Sequence, residues 1–233
     1  MTFKHLIYAG HSAVFLHADE LVVAIDPWLQ GNPLCPAALL SPPKLDLIVL
    51  THGHSDHAGD VVRLAHQTGA TIVAIFELIE ILQREGIPAK QLLPMNKGGV
   101  RSFKGINVHM RHAIHSSSFA GTDGTVYAGE AAGVIIEDGS HAYYHAGDTC
   151  FFSDMALIGE QFKLRIAMLP IDGVFNMSPE DAARAAQVLN AQSVLPIHHS
   201  TLPALRGKPS DLARLLPSNI AMLDLSPGGS LSL

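Results

Sequence analysis

Charge is scarce in this chain. Lys, Arg, Asp and Glu make up 15% of its 233 residues, against roughly 25% in an average soluble chain. No run of Lys or Arg could neutralise a row of phosphates, and the formal net charge is −6, which argues against a nucleic-acid groove. Cysteine is nearly absent: Cys35 and Cys150 stand far apart, so no disulfide framework is expected. No apolar run approaches the ~20 residues that a membrane span needs. Met1-Thr2-Phe3-Lys4-His5 leads straight into a strand-like segment where a signal peptide would carry its apolar core. Together these absences point to the cytoplasm.

Aliphatic residues and alanine are plentiful. Hydrophobic residues reach 48%, enough for a sizeable core in one domain over residues 1–233. Such an excess fits a homo-oligomer with a buried contact between copies as well as it fits a large alanine-padded core; the expected partner is a small-molecule substrate. Histidine, with 14 copies, is the other abundant type, and its spacing carries the chemistry.

The apolar runs Leu6 to Tyr8, Ala13 to Leu16, Leu21 to Ile25 and Leu45 to Leu50 read as strands. Val61, Leu64 and Ala65 suit a helix face that Gly69 ends. Thr71 to Ala74 is a strand, and Glu77 to Arg84 a helix stopped by Gly86-Ile87-Pro88. Strands return at Ile106 to Ile114, Val134 to Glu137, Ala142 to His145 and Ile166 to Leu169. Ser178-Pro179-Glu180-Asp181 opens a helix with Ser178 as cap and Pro179 in the first turn. Val194 to Ile197 and Ile220 to Leu223 close the series. This doubled β-then-α order suits an α/β (α+β) sandwich of two β-plus-α halves, sheets packed face to face and helices outside, and composition alone does not separate it from other layered α/β folds.

The strongest local signal is Thr51-His52-Gly53-His54-Ser55-Asp56-His57, directly after the apolar run ending at Leu50. Three imidazoles and a carboxylate beside a core strand are costly to bury unless something satisfies them. A divalent metal does so, because neutral imidazole and carboxylate are its usual ligands. His52 and His54, alternating in a tight turn, suit one ion. Asp56 and His57 suit a second, with Gly53 expected to relieve crowding between the ligands. His112 and His115 are an odd number of positions apart, so one strand would turn them to opposite faces. The same parity separates His198 from His199. Cys150, close to Asp148, is expected as a packed thiol.

His52-x-His54-x-Asp56-His57 resembles the central motif of the metallo-β-lactamase superfamily. Four further blocks match in order: Asp26 in Ile25-Asp26-Pro27, His115 in His112-Ala113-Ile114-His115, Asp148 in Ala146-Gly147-Asp148, and His198 in Leu195-Pro196-Ile197-His198. Gly10-His11-Ser12, Ala128 to Gly133, and Leu169 to Ala182 are similar to its uncharacterised metal-dependent hydrolase branch, related to ascorbate-6-phosphate lactonase and to the phospholipase D acting on N-acyl-phosphatidylethanolamines. In that branch Gly, Thr and an aromatic residue are expected where Asp172, Asn176 and His199 stand.

The resemblance implies a four-layer αββα sandwich with two divalent metal ions, zinc first and manganese or iron as alternatives. His52, His54 and His115 would hold one, Asp56, His57 and His198 the other, and Asp148 would bridge them. Asp26 would orient a ligand imidazole, so Asp56, Asp148 and Asp26 are the expected catalytic carboxylates. His11, Asn176 and His199 are the candidate substrate residues: His11 has a polar role near the site or a role in its turn, and His199 faces substrate, backs a metal ligand or lies on the surface. Two ions sharing a hydroxide imply hydrolysis of a small-molecule ester, lactone or phosphodiester. A single-iron thiol dioxygenase and a non-catalytic metal-binding protein are the alternatives.

Overall fold

The computed structural model describes residues 1–233. In chain order the first strands are β1 (His5–Gly10), β2 (Ala13–His17), β3 (Val22–Ile25), β4 (Leu47–Val49), β5 (Thr71–Ile75), β6 (Leu92–Met95), β7 (Val100–Phe103) and β8 (Ile106–His112). There follow β9 (Ser118–Gly121), β10 (Gly124–Tyr127), β11 (Ala132–Glu137), β12 (Ala142–His145), β13 (Leu164–Pro170), β14 (Ser193–Ile197), β15 (Ala221–Met222) and β16 (Ser230–Ser232). The helices are α1 (Ser55–Ala58), α2 (Val61–Thr68), α3 (Phe76–Arg84), α4 (Met155–Gln161), α5 (Pro179–Val188) and α6 (Pro209–Leu215).

Two seven-stranded sheets result, in the orders β16-β1-β2-β3-β4-β5-β6 and β15-β14-β13-β12-β11-β8-β7. Each is antiparallel at one side and parallel at the other. The first turns parallel from β3 onward, the second from β12 onward. Side chains alternate across the second sheet as the pleat requires. Val134, Ile136, Tyr143, Ile166 and Met168 join the apolar core that also holds Leu6, Tyr8, Leu16 and Ile25 of the first sheet. Their neighbours Ile135, Tyr144, Ala167 and Leu169 pack with Met155 and Ile158 of α4 and Ala182, Ala185 and Ala186 of α5. On the other side, Val61, Leu64, Leu78 and Leu82 of α2 and α3 complete the first core. The layers run α, β, β, α, as the doubled pattern implies.

Local chemistry ends the elements where the sequence says. Gly69 closes α2 at φ 73°, and Ser178 Oγ accepts from Asp181 N at 3.3 Å ahead of Pro179. Other features escape a reading by periodicity. Strand β6 contains Pro94, tolerated because β6 is an edge of its sheet. Helix α4 contains Gly159, and a Cβ there would lie 2.4 Å from Val188 O. That glycine permits close helix packing and does not break the helix. The β9–β10 hairpin, β7, α6 and β16 also lack a clear apolar rhythm; β10 is exposed throughout.

Strand β8 stops at His112, not at Ile114. His115 therefore lies in the loop beyond it, and parity along one strand does not govern the choice between the two histidines.

Candidate metal centre

Seven strands deliver polar residues to one end of the sandwich. His11 follows β1, Asp26 follows β3, His52 to His57 follow β4, His115 follows β8, Asp148 follows β12, Asp172 follows β13 and His198 follows β14. The chain bends sharply there. His11, Asp26 and His198 adopt φ of 55°, 45° and 54°, a left-handed conformation uncommon outside glycine. Strain of this kind concentrates where side-chain placement matters more than backbone comfort. Gly53 meets a different demand from the expected one: a Cβ would lie 2.9 Å from Ala128 Cβ and from Ser118 O. The backbone near β9, rather than ligand crowding, requires glycine.

Asp26 is wholly buried and fixes two imidazoles. Its Oδ1 accepts from Thr51 N at 2.8 Å, and its Oδ2 accepts from Thr51 Oγ1 at 2.6 Å and His57 Nδ1 at 2.8 Å. Because the Thr51 hydroxyl gives its proton to Asp26, it accepts from His52 Nδ1, 3.0 Å away. Both histidines thus carry hydrogen on Nδ1 and turn Nε2 inward. His52 Nε2 lies 3.1 Å from His54 Nδ1, and His52, His54 and His115 bring one donor atom each within 4.8 Å of one another.

Asp148 joins the remaining groups. Its Oδ1 is 3.1 Å from His57 Nε2, and its Oδ2 is 3.2 Å from His198 Nε2 and 3.5 Å from His115 Nε2. His198 Nε2 also lies 3.5 Å from Asp56 Oδ2. These approaches are not aligned as hydrogen bonds: His57 Nε2, Asp148 Oδ1 and both His198 nitrogens are buried without a hydrogen-bond partner. Ligand atoms around a tetrahedral divalent ion, at bonds near 2.1 Å, stand roughly 3.4 Å apart. Inward-facing donors at such separations, unsatisfied by protein, fit metal ligation.

None of the three candidate substrate residues lines the cleft that opens onto these donors. His11 is wholly buried, with Nε2 3.2 Å from Asp56 Oδ2 and Nδ1 3.0 Å from Thr201 Oγ1; it backs a ligand and has no open surface. His199 is buried and stacks on Tyr8, ring centroids 6.2 Å apart, so neither a surface nor a cleft position describes it. Asn176 donates through Nδ2 to Asp172 Oδ2 at 2.9 Å. Cys150 is exposed, not packed.

The electrostatics are those of a compressed anionic cluster. Burial opposes charge on Asp26, Asp56, Asp148 and Asp172, yet nearby histidines outweigh it, and all four lie below the usual carboxylate range. Burial also disfavours charge on His57 and His198. Asp148 overcomes this in both, with Asp26 assisting at His57 and Asp172 and Asp56 at His198, raising them to about 10 and about 12. Burial lowers His52, His54 and His115, and takes His11 to about 4. The protein alone balances its buried carboxylates by holding protons on His57 and His198.

A cleft of about 330 Å³ opens onto this cluster, lined by His54, Asp56, His115, Ser116, Asp148, Phe175, His198, Leu202 and Leu205. No Lys or Arg lines it. Phe175, Leu202 and Leu205 carry no ligand signature, and nothing in their spacing marks them. Asp172 could have been found by another sign: like Asp26, it is an acidic residue just past a buried strand.

Layered architecture and donor set define a metal-binding sandwich of the hydrolase type. A family model described as the Beta-lactamase superfamily domain matches residues 22–199. A UPF0173 metal-dependent hydrolase of Koribacter versatilis is 43% identical over 195 residues, covering 83% of each chain. One from Geobacillus thermodenitrificans is 40% identical over 227 residues, 97% of this chain and 98% of that one. The solved structure of Igni18, a metallo hydrolase from Ignicoccus hospitalis, superposes with TM-score 0.85 at 34% identity, covering 100% of this chain and 99% of that one. The chain belongs to the beta-lactamase superfamily and, within it, to the UPF0173 metal-dependent hydrolases.

Proposed function

We propose that this metal-dependent hydrolase cleaves uncharged small-molecule carboxylic esters or lactones at a centre of two divalent ions, with zinc the expected metal. The observation that carries the reading is the set of buried, unpartnered donor atoms around Asp148. His52, His54 and His115 would hold one ion, and Asp56, His57 and His198 the other. Asp148 approaches His115 of the first group and His57 and His198 of the second, which favours a bridging role. Charge supports the count: two divalent cations would offset the four carboxylates Asp26, Asp56, Asp148 and Asp172. When bound, such ions acidify water towards neutral pH and stabilise charge developing on an attacked oxygen.

The protein's own part is orientation and selection. Asp26 holds His57 directly and His52 through Thr51, so neither ring is free to turn. His11, locked by Thr201, faces the Asp56 carboxylate. The apolar wall of Phe175, Leu202 and Leu205 favours a substrate with an aliphatic or aromatic acyl part, and Ser116 supplies a hydroxyl beside it. A phosphodiester would bring an anion to a wall without a basic side chain, which ranks it below the ester.

Turnover of nitrophenyl esters, lactones and a nitrophenyl phosphodiester by the zinc-loaded protein tests the reading. Esters or lactones should be turned over at least about tenfold faster, and His54→Ala or Asp148→Ala should abolish the activity in folded protein. Preference for the phosphodiester sinks the substrate assignment. Two bound ions with no turnover favours the non-catalytic alternative, and dioxygen uptake with a thiol by iron-loaded protein favours the oxidoreductase.

A further inference from the structure

Asp172 is fully buried at the end of β13, where the related branch is expected to carry glycine. Its Oδ1 accepts from Val174 N at 2.8 Å and Phe175 N at 2.6 Å, with Asn176 N at 3.4 Å. Its Oδ2 accepts from Asn176 Nδ2 and lies 3.1 Å from His198 Nδ1. The backbone joins in, since Asp172 O accepts from Arg206 N at 2.9 Å and Gly207 N at 3.0 Å. That strap passes so close that a Cβ on Gly207 would lie 1.5 Å from Ile171 O. One residue thereby touches the loop carrying Phe175, the strap carrying Leu205, and a histidine whose Nε2 faces Asp148 and Asp56.

The His198 ring needs such a partner. Its residue is held at φ 54°, and neither ring nitrogen makes a hydrogen bond. The Asp172 carboxylate is the acidic group beside Nδ1, as the Asp26 carboxylate is beside His57 Nδ1 at 2.8 Å. A carboxylate behind a ligating imidazole selects its tautomer and strengthens it as a donor.

We propose that Asp172 is a second positioning residue, which keeps the His198 proton on Nδ1, aims Nε2 at the centre, and sets the affinity of the ion held with Asp56 and His57. The ion held by His52, His54 and His115 does not depend on it. This inference rests on the two-ion reading. A carboxylate serving only as a loop clamp would leave both affinities alone.

Chelator titration of zinc-loaded Asp172→Asn separates these cases, because an amide oxygen can still accept the Val174 and Phe175 amides while the charge beside His198 is lost. One of the two ions should bind ~10–100-fold more weakly, the other within twofold of its original affinity. Asn176→Ala, which leaves the carboxylate facing His198, should keep both affinities. Unchanged affinities in Asp172→Asn, or equal weakening of both, overturn the proposal. Wild-type protein that binds fewer than two ions overturns the two-ion reading first, and this inference with it. A nitrogen-15 imidazole spectrum of the zinc-loaded wild type decides the matter even if the variant does not fold. It should show hydrogen on His198 Nδ1; a bare Nδ1 contradicts the assignment.

Discussion

Two buried carboxylates stand behind the centre, one in each half of the sandwich, and the halves use them differently. Asp26, after β3, spends its bonds on the ligand turn: Thr51 N, Thr51 Oγ1 and His57 Nδ1. Asp172, after β13, divides itself between His198 and the backbone of the loop that carries Phe175. Asp26 therefore serves only the donor set, whereas Asp172 ties one donor to the cleft wall. Changes at Asp26 should strike metal binding, and changes at Asp172 should strike metal binding and substrate selection together.

The largest effect should come where the halves meet. Asp148→Asn removes the carboxylate that approaches donors of both groups, so ester turnover should vanish and metal content should fall. Full activity in that variant would remove the basis for treating the halves as one centre. Next is Asp26→Asn, which releases His57 directly and His52 through Thr51; calorimetric zinc affinity should drop by ~10–100-fold. Thr51→Ala frees only the His52 side of that relay and should do less. If it does more, Asp26 does not act as described.

The donors also differ in acidity. In the protein alone His57 and His198 are raised to about 10 and about 12, so both carry a proton at neutral pH. Ions must displace those protons, and zinc affinity of chelator-stripped protein should rise with pH through the neutral range, and less steeply once His57 deprotonates near 10. His52, His54 and His115 are lowered and contribute no such slope. Calorimetry in buffers of different ionisation enthalpy should count proton release on loading. An affinity independent of pH would contradict the protonated pair. The smallest effect belongs to the wall: Phe175→Ala should raise KM for esters with an apolar acyl group by up to about tenfold with kcat little altered. An equal fall in kcat would place Phe175 closer to the chemistry than the cleft suggests.

The same contrast explains what the sequence discloses. The His52 to His57 string is legible because four donor residues sit within one turn after an apolar strand, and local spacing alone brings them near one point. His115, Asp148 and His198 are single residues whose meeting depends on the sheet order, and the family resemblance, not spacing, singles them out. Asp172 escapes because nothing beside it in sequence is a ligand; its partner His198 arrives from the neighbouring strand β14. His11 is legible as a polar residue near the site, but its contact with Asp56 is not, because a left-handed backbone after β1 folds it under that carboxylate. In the fold, Pro94 and Gly159 hide an edge strand and a helix, since their tolerance is decided by neighbours and not by propensity.

Metal content per chain, measured on purified protein before and after chelation and paired with ester turnover and circular dichroism, tests the centre most directly. Two ions per chain are expected, and stripping them should stop hydrolysis while the sandwich stays folded. Undiminished hydrolysis by a folded chain with no ion bound would contradict the claim that these histidines and carboxylates work by holding metal.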